Sequence, residues 1–522
     1  MPLARTRSVS LLGVSGHVIE VEADIGSSIP AIVLVGLPDA AVSEARDRVR
    51  AAITNSGEPW PQRRITVGLS PASLPKRGSS FDLAIAVSVL AANGSVPVAA
   101  VADAVLLGEL GLDGRVRTVR GVLPAVVAAV DGGWTKIVVP APNAGEARLV
   151  PGADIIGVAS LRSLLAWLRA EIDREALLAM EAEPGDDSVR DRRDPTLGYD
   201  PRGELDIADV RGQAEARYAV EVAAAGGHHL LLDGPPGTGK SMLAQRLPGI
   251  LPRLSRQDAL EVTAIHSVAG TLPAHSPLVE EPPFQDPHHS ATVPAVLGGG
   301  SAAARPGCVS LAHRGVLLLD EAPEFAPALL EGLREPMERG EIVIARAVAT
   351  VRFPARFQLV LTANPCPCGL AVGTGAACRC SPAQRLRYAA RLSGPVLDRV
   401  DIRQTLSQPT RAALAVDQPE STSDIGARVH LARERQAHRY LGTPWRTNSD
   451  VAGPRLRRDY PPEAAALALA EERLRAGWLT ARGADRTLRV AWSIADLQGV
   501  PRPGIDEMHT ALGLRGMTRV AA

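Results

Sequence analysis

A glycine-rich segment between a run of leucines and a lysine-serine pair is the first stretch of this chain that could do chemistry. Residues 228–241 read HHLLLDGPPGTGKS. Glycines in such a segment let backbone N–H groups converge on phosphate oxygens, the lysine reaches the β- and γ-phosphates, and the serine hydroxyl serves Mg²⁺. The spacing therefore predicts ATP binding by Gly234, Pro235, Pro236, Gly237, Thr238, Gly239, Lys240 and Ser241.

The lysine of this segment stands out against the composition. The 522 residues include 57 Lys plus Arg, and only Lys76, Lys136 and Lys240 are lysines. Because arginine is used almost everywhere else, a lysine at position 240 favours a phosphate-binding role.

A second apolar run ends in two acidic residues. Residues 315–321 read GVLLLDE. Beside a phosphate-binding loop, Asp320 is expected to hold the Mg²⁺ shell together with Ser241, and Glu321 is expected to orient and activate the attacking water. The alternative is an ordinary core strand with a polar end, but the pair of strands predicts a Mg²⁺-dependent ATPase.

Polar residues further along could complete this site. Residues 357–362 predict a strand that leads to Asn364, where AAA+ ATPases place a sensor side chain; the alternative is a turn-forming Asn before a proline. Arg399 is expected to enter the site of a neighbouring subunit and neutralise developing charge. Its alternative is a pair with Asp398 or Asp401.

One more arginine is predicted to come from a C-terminal helix that begins near residue 480. Arg482 resembles a second sensor that folds back onto the phosphates. Arg486 and Arg489 are the fallback choices for this role.

Four of the five cysteines lie within fifteen residues. Cys366, Cys368, Cys378 and Cys380 form two Cys-x-Cys pairs separated by nine residues. Four thiolates can surround a tetrahedral Zn²⁺, so the cluster predicts a metal site rather than disulfides, the alternative being four reduced thiols in a loop.

Two adjacent histidines lie between the nucleotide motifs. His288 and His289 could be ligands or catalytic groups, but neighbouring histidines rarely share one metal. We interpret them as polar loop residues.

Composition limits the class of protein. The chain is 46% apolar and 22% charged, which is ordinary globular composition, and its length suggests about three domains. No apolar run of membrane-spanning length and no signal-peptide pattern is visible, so we expect a cytoplasmic protein that does not enter a membrane. Net charge is zero, yet residues 382–522 hold 22 Arg against 15 Asp plus Glu. This excess is compatible with nucleic acid, or with solvated arginine-rich helices.

The order of predicted elements indicates an α/β protein. Strands (18–21, 32–35, 65–69, 104–107, 136–140) alternate with helices (39–56, 81–93, 123–130) in a first domain at 1–170. The charged segment 171–204 predicts a linker. A phosphate-loop α/β domain with a parallel sheet is expected at 205–405, with the cysteine insertion at 366–380. A helix at 322–339 and a hairpin of 341–346 with 350–352 are expected within it, and a helical lid follows at 406–522.

Several runs in the first domain resemble the proteolytic domain of Lon-type proteases. They are PKRGSS at 75–80, GELGLDGRV at 108–116 and WTKIVVPAPN at 134–143. The resemblance implies a ribosomal-protein-S5-like α/β fold. Those proteases use a Ser-Lys dyad, but while Ser80 falls near the serine position, Leu123 stands at the lysine position. Because a hydroxyl without a base is a poor nucleophile, we expect no peptidase activity.

The whole chain resembles the YifB/ComM family of magnesium-chelatase-like AAA+ ATPases. The runs that carry the resemblance are GPPGTGKS, PHHS, GGG, PGCVSLAHRGVLLLDEAPEF, LREPMERG, NPCPCG, CRC and SGPVLDRVDI. It implies a homo-hexameric ring and, in the ComM branch, binding of single-stranded or branched DNA and ATP-driven branch migration. The kinship with chelatases leaves a second hypothesis, namely ATP-driven remodelling of a protein or chelatase-type partner.

The predicted hairpin carries two arginines that could contact DNA in a ring. Arg346 and Arg352 would meet the phosphate backbone if the hairpins line a central channel. The alternative is that they pair with Glu338 or Glu341 and only hold the hairpin.

Overall fold

The computed structural model describes residues 3–36, 40–76, 78–182, 205–272, 277–300, 304–345, 350–372 and 375–516. Within these ranges the chain forms one mixed sheet near the N-terminus, one parallel sheet in the middle and a helical C-terminal region. The fold class is therefore α/β, as the sequence predicts. The segment 183–204 of the predicted linker and Arg346 of the predicted hairpin lie outside the described residues.

The N-terminal sheet has seven strands in the order β3-β4-β2-β1-β5-β8-β9. β1 and β2 pair antiparallel, as do β2 and β4, whereas the other neighbours are parallel. A short hairpin, formed by the two-residue strands β6 and β7, lies beside this sheet. The strands are β1 (Leu3–Leu12), β2 (Ser15–Gly26), β3 (Ala31–Val35), β4 (Arg64–Ser70), β5 (Ala104–Leu106), β6 (Glu109–Leu110), β7 (Val116–Arg117), β8 (Lys136–Pro140) and β9 (Asp154–Val158).

Helices cover this sheet, and one of them is apolar on every side. Helix α2 is buried along its whole length because it packs against both β1 and β2. The helices are α1 (Ala40–Asn55), α2 (Asp82–Ala92), α3 (Val98–Val101), α4 (Val122–Asp131), α5 (Ala144–Ala147), α6 (Leu161–Leu168) and α7 (Arg174–Ala182).

Helix α7 corrects the predicted boundary of the first domain. The prediction ends that domain at residue 170, but Leu177 of α7 is buried in the same apolar core as α2. A single buried leucine is enough to fix a short helix on a core, and the charged composition averaged over 171–204 hid it. Residues 174–182 therefore belong to the N-terminal domain.

The central sheet has five strands, all parallel, in the order β11-β12-β15-β10-β16. Strands β10, β12 and β15 are almost wholly buried and read as continuous apolar runs, which is typical of parallel strands covered on both faces. The strands are β10 (Leu230–Asp233), β11 (Phe284–Gln285), β12 (Val316–Leu319), β15 (Gln358–Ala363) and β16 (Ile402–Thr405), and an antiparallel hairpin is formed by β13 (Glu341–Ala345) and β14 (Thr350–Pro354).

The helix predicted at 322–339 is broken in the structure. A short 3₁₀ turn occupies Ala322–Glu324, and two helices of six residues follow it. Pro323, Pro327 and Pro336 explain the breaks, because proline lacks the N–H that a helix interior needs. The helices of this domain are α8 (Ala214–Gly226), α9 (Lys240–Arg246), α10 (Arg256–Ala269), α11 (Val293–Leu297), α12 (Cys308–Leu311), α13 (Pro327–Gly332), α14 (Arg334–Arg339), α15 (Pro382–Ala389) and α16 (Gly394–Leu397).

The C-terminal region is helical, and it shares an apolar core with one face of the central sheet. Helices α18 and α21 both pack against α8. The helices are α17 (Arg411–Val416), α18 (Thr422–Arg439), α19 (Gly453–Asp459), α20 (Ala464–Arg475), α21 (Ala481–Gln498) and α22 (Ile505–Gly513).

The N-terminal domain contacts the central domain through helices α4 and α10. The backbone N–H of Gly121 donates to Ser267 O at 3.1 Å, and Leu260 and Ala264 of α10 pack on the apolar core around α4. Within the described ranges, no helix is both long enough and apolar enough to span a bilayer.

Candidate functional site

The phosphate loop joins β10 to α9 at the carboxyl edge of the central sheet. Gly237 and Gly239 adopt φ angles of 76° and 91°, a left-handed conformation in which a Cβ would be strained. The Thr238 hydroxyl donates to Pro235 O at 2.9 Å and closes the loop on itself. The backbone of this loop thus has the curled form that phosphate oxygens need.

Lys240 is buried inside this loop. Its Nζ donates to Gly234 O at 2.7 Å, to Pro235 O at 2.9 Å and to Asn364 Oδ1 at 3.1 Å. Burial lowers the pKa of Lys240, and nearby carboxylates, Asp320 first among them, oppose that effect. The structure therefore brings Asn364 to the phosphate loop, as its place after β15 predicts.

Asp320 follows β12 and faces the phosphate loop. Ser241 Oγ donates to its two carboxylate oxygens at 2.9 and 3.0 Å. The hydroxyl of Thr362, on the neighbouring strand β15, donates to Asp320 Oδ1 at 2.5 Å. Sequence reasoning missed Thr362, although a hydroxyl inside an otherwise apolar strand was a visible signal.

The next residue, Glu321, is exposed and adopts a φ of 53°. This conformation is uncommon for a residue other than glycine, and such strain is found at functional sites. Its backbone N–H donates to Thr362 Oγ1 at 2.8 Å. Thr362 therefore fixes both acidic residues at the strand end.

A third carboxylate, which sequence reasoning also missed, lies near Asp320. Asp286 follows β11 and has an exposed surface, but partial loss of hydration together with the charge of Asp320 raises its pKa to about 6. Crowded carboxylates are relieved by a divalent cation, and oxygen ligands are those that Mg²⁺ prefers.

These residues fit a magnesium nucleotide. Ser241 and Asp320 would hold Mg²⁺, and Lys240 with the loop backbone would hold the phosphates. When bound, the cation would neutralise charge on the β- and γ-phosphate oxygens. Asn364 and Glu321 stand at the same edge, where a water would attack.

Arg399 lies before β16, towards the opposite, amino edge of the sheet. Its guanidinium forms an ion pair with Glu338 of α14 and donates to Pro395 O at 2.7 Å. The side chain is 7% exposed. Its partner is thus neither Asp398 nor Asp401, the two residues that the alternative interpretation named.

Arg482 also lies towards the amino edge, where its guanidinium is 3.7 Å from Asp398 and 70% of its side chain is exposed. The prediction that Arg482 folds back onto the phosphates of its own chain does not match this position, because α21 begins beside Asp398 and not beside the phosphate loop. Arg486 is bound elsewhere, donating to Asp401 at 2.7 Å.

Four arginines lie near the buried residue Asp401, and Arg486 is the one that forms an ion pair with its carboxylate. Burial lowers the pKa values of Arg403, Arg489 and Arg515, and the positive charge of Arg486 lowers them further. Among the described residues, the Nε atoms of Arg403, Arg489 and Arg515 have no hydrogen-bond partner. We refer to Arg403, Arg486, Arg489 and Arg515 as the amino-edge arginine cluster.

The four clustered cysteines converge, as their spacing predicts. Their sulfur atoms all lie within 4.8 Å of one another, and Cys366 Sγ is 3.4 Å from Cys368 Sγ and 3.7 Å from Cys378 Sγ. A disulfide requires about 2.0 Å, whereas the edge of a Zn–S₄ tetrahedron is about 3.8 Å. The donor set fits Zn²⁺.

The remaining predicted residues lie apart from this edge or have local partners. His288 bonds Ser290 Oγ through Nδ1 at 2.8 Å, and its ring stacks near that of His289 at 4.1 Å between centroids. Arg352 pairs with Glu341 at 2.5 Å, the contact that the alternative interpretation named.

The position that holds the catalytic lysine in Lon-type proteases is apolar here. Leu123 is fully buried in the core around α4, so it supplies neither a base nor a charge. Ser80 O accepts a hydrogen bond from Gly108 N at 3.1 Å, which places this serine in the backbone framework of the domain.

A phosphate loop, an Asp-Glu strand end and a polar sensor at the carboxyl edge of one parallel sheet define a P-loop ATPase of AAA+ type. Family models agree with this class. "Magnesium chelatase, subunit ChlI" matches residues 206–414, "Subunit ChlI of Mg-chelatase" matches 21–143, and the ChlI C-terminal model matches 419–515.

Relatives cover the whole chain. An uncharacterized protein of Mycobacterium tuberculosis (strain H37Rv) is 52% identical, covering 99% of both chains. YifB of Escherichia coli K12 is 40% identical over 100% of this chain and 98% of its own, and competence protein ComM of Haemophilus influenzae is 38% identical over 100% and 99%. The chain belongs to the YifB/ComM family of magnesium-chelatase-like AAA+ ATPases.

Proposed function

We propose that this protein is a Mg²⁺-dependent AAA+ ATPase that forms a homo-hexameric ring and moves DNA, acting as a branch-migration motor in DNA uptake or recombination. The observation that supports a ring is that the groups expected at an ATP site lie at two opposite edges of the central sheet. Phosphate-binding groups stand at the carboxyl edge of the central sheet, and arginines stand towards its amino edge. In a ring, the carboxyl edge of one subunit would face the amino edge of its neighbour.

Arg399 is proposed to act on the nucleotide of the neighbouring subunit. It borders a surface cavity of about 370 Å³ that is also lined by Glu331, Glu335 and Glu338. When the neighbour's triphosphate enters, Arg399 exchanges the Glu338 carboxylate for phosphate oxygens. Its charge then stabilises the transition state in trans.

Arg482 and the amino-edge arginine cluster support the same arrangement. Asp398, Asp401 and Asp485 are among the carboxylates that act on these arginines, yet the Nε atoms of Arg403, Arg489 and Arg515 have no hydrogen-bond partner among the described residues. Burial and mutual repulsion make an added anion favourable there. We therefore propose that Arg482 serves as a sensor for the neighbour's nucleotide instead of its own.

DNA as the substrate is supported by two observations. One relative that covers the whole chain, ComM, is named a competence protein, and residues 382–522 have an excess of seven positive charges, 22 Arg against 15 Asp plus Glu. Binding through the phosphate backbone needs no base-reading helix, so sequence preference is expected to be weak.

Zn²⁺ is proposed in the four-cysteine cluster, about one ion per chain, as a closed structural site. The N-terminal domain is proposed to have no peptidase activity, because Leu123 replaces the required lysine. Elemental analysis and incubation with unfolded casein test these two statements.

ATP hydrolysis with single-stranded, duplex and branched DNA over a range of salt concentrations tests the DNA proposal. Affinity should fall with salt, with a slope near −0.9 per contact on duplex and about −0.7 on single strands. Replacing Arg346 and Arg352 by Ala should weaken DNA binding across all sequences and leave basal hydrolysis intact.

Arg46 and Arg115 provide the matched control. Both are exposed arginines of the N-terminal domain, with 52% and 61% of their side chains accessible. Their double replacement by Ala removes the same charge and should leave DNA stimulation unchanged. Salt-independent binding, or a normal DNA response in the hairpin variant, would instead favour remodelling of a protein or chelatase-type partner.

A further inference from the structure

Gly369 lies in the segment that carries the cysteines, described at 366–372 and 375–380, and it packs directly on the phosphate loop. Gly369 has a φ of 75°, and a Cβ built on it would lie 2.4 Å from Pro236 Cγ and 2.6 Å from Pro236 Cδ. Real Cβ atoms do not approach so closely, so only glycine fits here. At Gly369 the backbone of the cysteine segment is therefore in direct contact with the phosphate loop.

The same segment is tied to the sensor residue. Cys366 is two positions after Asn364, whose Oδ1 accepts from Lys240 Nζ at 3.1 Å. Tyr388 is a buried residue of the helix that follows the segment, and its hydroxyl lies beside the backbone of Asn364, which partly offsets the burial that raises the pKa of Tyr388 to about 12. The cysteine segment is therefore connected to Asn364 at both ends, by the chain itself at Cys366 and by Tyr388 of α15.

The described residues of this segment bury little apolar surface, and their backbone hydrogen bonds are local turns. In the described part of 366–380, only Cys366 and Gly369 are buried. Leu370 and Val372 expose 45% and 48% of their surface. A segment without an apolar core takes its fold from the ion that its ligands bind, so metal binding and folding of the segment are one event.

We propose that Zn²⁺ held by Cys366, Cys368, Cys378 and Cys380 fixes the described parts of this segment, 366–372 and 375–380, against Pro236 and Asn364, so that metal occupancy sets the nucleotide affinity of the phosphate loop. This inference rests on the zinc site proposed above. Gly369 and the four thiols are positioning residues in this account, because they act on the nucleotide through Pro236 and Asn364.

The first experiment removes the metal. Purified full-length protein is treated with a zinc chelator, and binding of mant-ATP is measured beside zinc content and thermal unfolding. Zinc-free, folded protein should bind mant-ATP on the order of ten- to a hundredfold more weakly, since displacements of about 1 Å at a site have costs of that size. Added Zn²⁺ should restore binding.

The second experiment separates the contact from the metal. Gly369→Val should retain zinc and bind mant-ATP on the order of tenfold more weakly, because its side chain pushes the segment off Pro236. Gly375→Val is the matched control. Gly375 lies in the same segment with a φ of 68°, but a Cβ there would meet only Arg385 Nη1, at 3.6 Å. Its variant should bind nucleotide normally.

A third variant covers the case in which Gly369→Val does not fold. Pro236→Gly removes the contact from the other side and does not strain the cysteine segment. In this variant, removal of zinc should change the affinity for mant-ATP less than in wild type, because only the connection through Asn364 remains, and an equal change would overturn the role of Pro236.

The outcomes distinguish the two proposals. Purified protein without zinc overturns the metal site. Protein that contains zinc, and whose nucleotide affinity is the same with and without it, overturns the coupling and leaves the metal site standing. Equal loss of affinity in the Gly369 and Gly375 variants also overturns the coupling, because the Gly375 variant does not touch Pro236.

Discussion

Thr362 offers the sharpest test of the magnesium site, because one hydroxyl serves two acidic residues. It donates to Asp320 at 2.5 Å and accepts from the Glu321 backbone at 2.8 Å. Thr362→Val keeps the shape of the side chain and removes both bonds. A hydrogen bond to a charged group contributes about 1.5–3 kcal/mol, and a buried donor left unpaired costs about 1–3 kcal/mol.

The expected loss of free energy corresponds to a lower rate of ATP hydrolysis. Each 1.36 kcal/mol is about tenfold, so loss of the Thr362 bonds should lower kcat roughly ten- to a hundredfold. The Mg²⁺ concentration for half-maximal hydrolysis should rise by a similar factor, since outer partners of metal ligands have effects of about that size. Nucleotide binding through Lys240 should change little. A coupled ATPase assay over a magnesium titration measures both quantities.

Thr405 supplies the matched control. Its hydroxyl donates to Asp233 at 3.0 Å at the end of β16, an exposed position, and Asp233 is not among the proposed magnesium ligands. Thr405→Val should retain kcat within about twofold, as surface substitutions do. Equal turnover and equal magnesium requirement in wild type and Thr362→Val would refute the account of this site.

Three further predictions concern the phosphate loop with its acidic strand end, the Arg486 ion pair and the buried carboxylate of Asp401. Lys240→Ala should lose nucleotide binding in a mant-ATP titration. Glu321→Gln should bind nucleotide but hydrolyse it on the order of 10²- to 10⁴-fold more slowly, because only the group that activates the water is lost. Normal turnover in either variant would reject the assignment of these two residues. Arg486→Leu should lower the free energy of unfolding by about 3–5 kcal/mol in urea, because it leaves the buried Asp401 carboxylate without its ion pair. Although burial opposes ionisation, Arg486 and His228 keep the pKa of Asp401 well below its usual range, so the stability that this group contributes is present above about pH 4 and is lost as pH falls through the folded pKa. Asp401→Asn should flatten that acid limb, and an unchanged limb would contradict the assignment.

The parts of the site that could be predicted from sequence are those with local signals. Apolar runs that end in a glycine loop, in Asp-Glu or near an Asn give strands β10, β12 and β15, and parallel strands bring their carboxyl ends to one edge. The cysteine cluster is also local, since its four ligands lie within fifteen residues. Spacing alone therefore places Lys240, Asp320 and Asn364 together.

The parts that could not be predicted depend on register or on distant partners. Thr362 matters because β15 lies beside β12, which brings its hydroxyl to Asp320. The partner of Arg399 is Glu338, 61 positions away on α14, and nothing local in the sequence indicates that the two meet. Arg482 was predicted to contact the nucleotide of its own chain, because the sequence does not show which way the C-terminal helical region folds relative to the phosphate loop.

Strand β1 was missed for a different reason. Its buried face carries hydroxyl residues in place of an apolar alternation. Thr6 Oγ1 donates to Ala84 O at 2.9 Å and Ser10 Oγ donates to Pro75 O at 2.8 Å. These two hydroxyls bond to the backbone of neighbouring elements, whereas Ser8 Oγ on the same face has no partner among the described residues, so this buried face lacks the apolar alternation from which strands are predicted.

The central claim is that one subunit completes the ATP site of the next, and mixing two inactive variants tests it most directly. Arg399→Ala and Glu321→Gln proteins are combined in equal amounts, and hydrolysis is measured on rings whose mixed composition is verified by mass. Random assembly puts an intact Glu321 beside an intact neighbouring Arg399 at about a quarter of the interfaces of a ring.

The control mixture combines Arg399→Ala with the doubly substituted protein, which can form no complete interface. The account predicts that the first mixture regains up to about a quarter of wild-type hydrolysis and that the control mixture regains none. Mixed rings that stay inactive would contradict a shared site and leave Arg399 as a structural partner of Glu338.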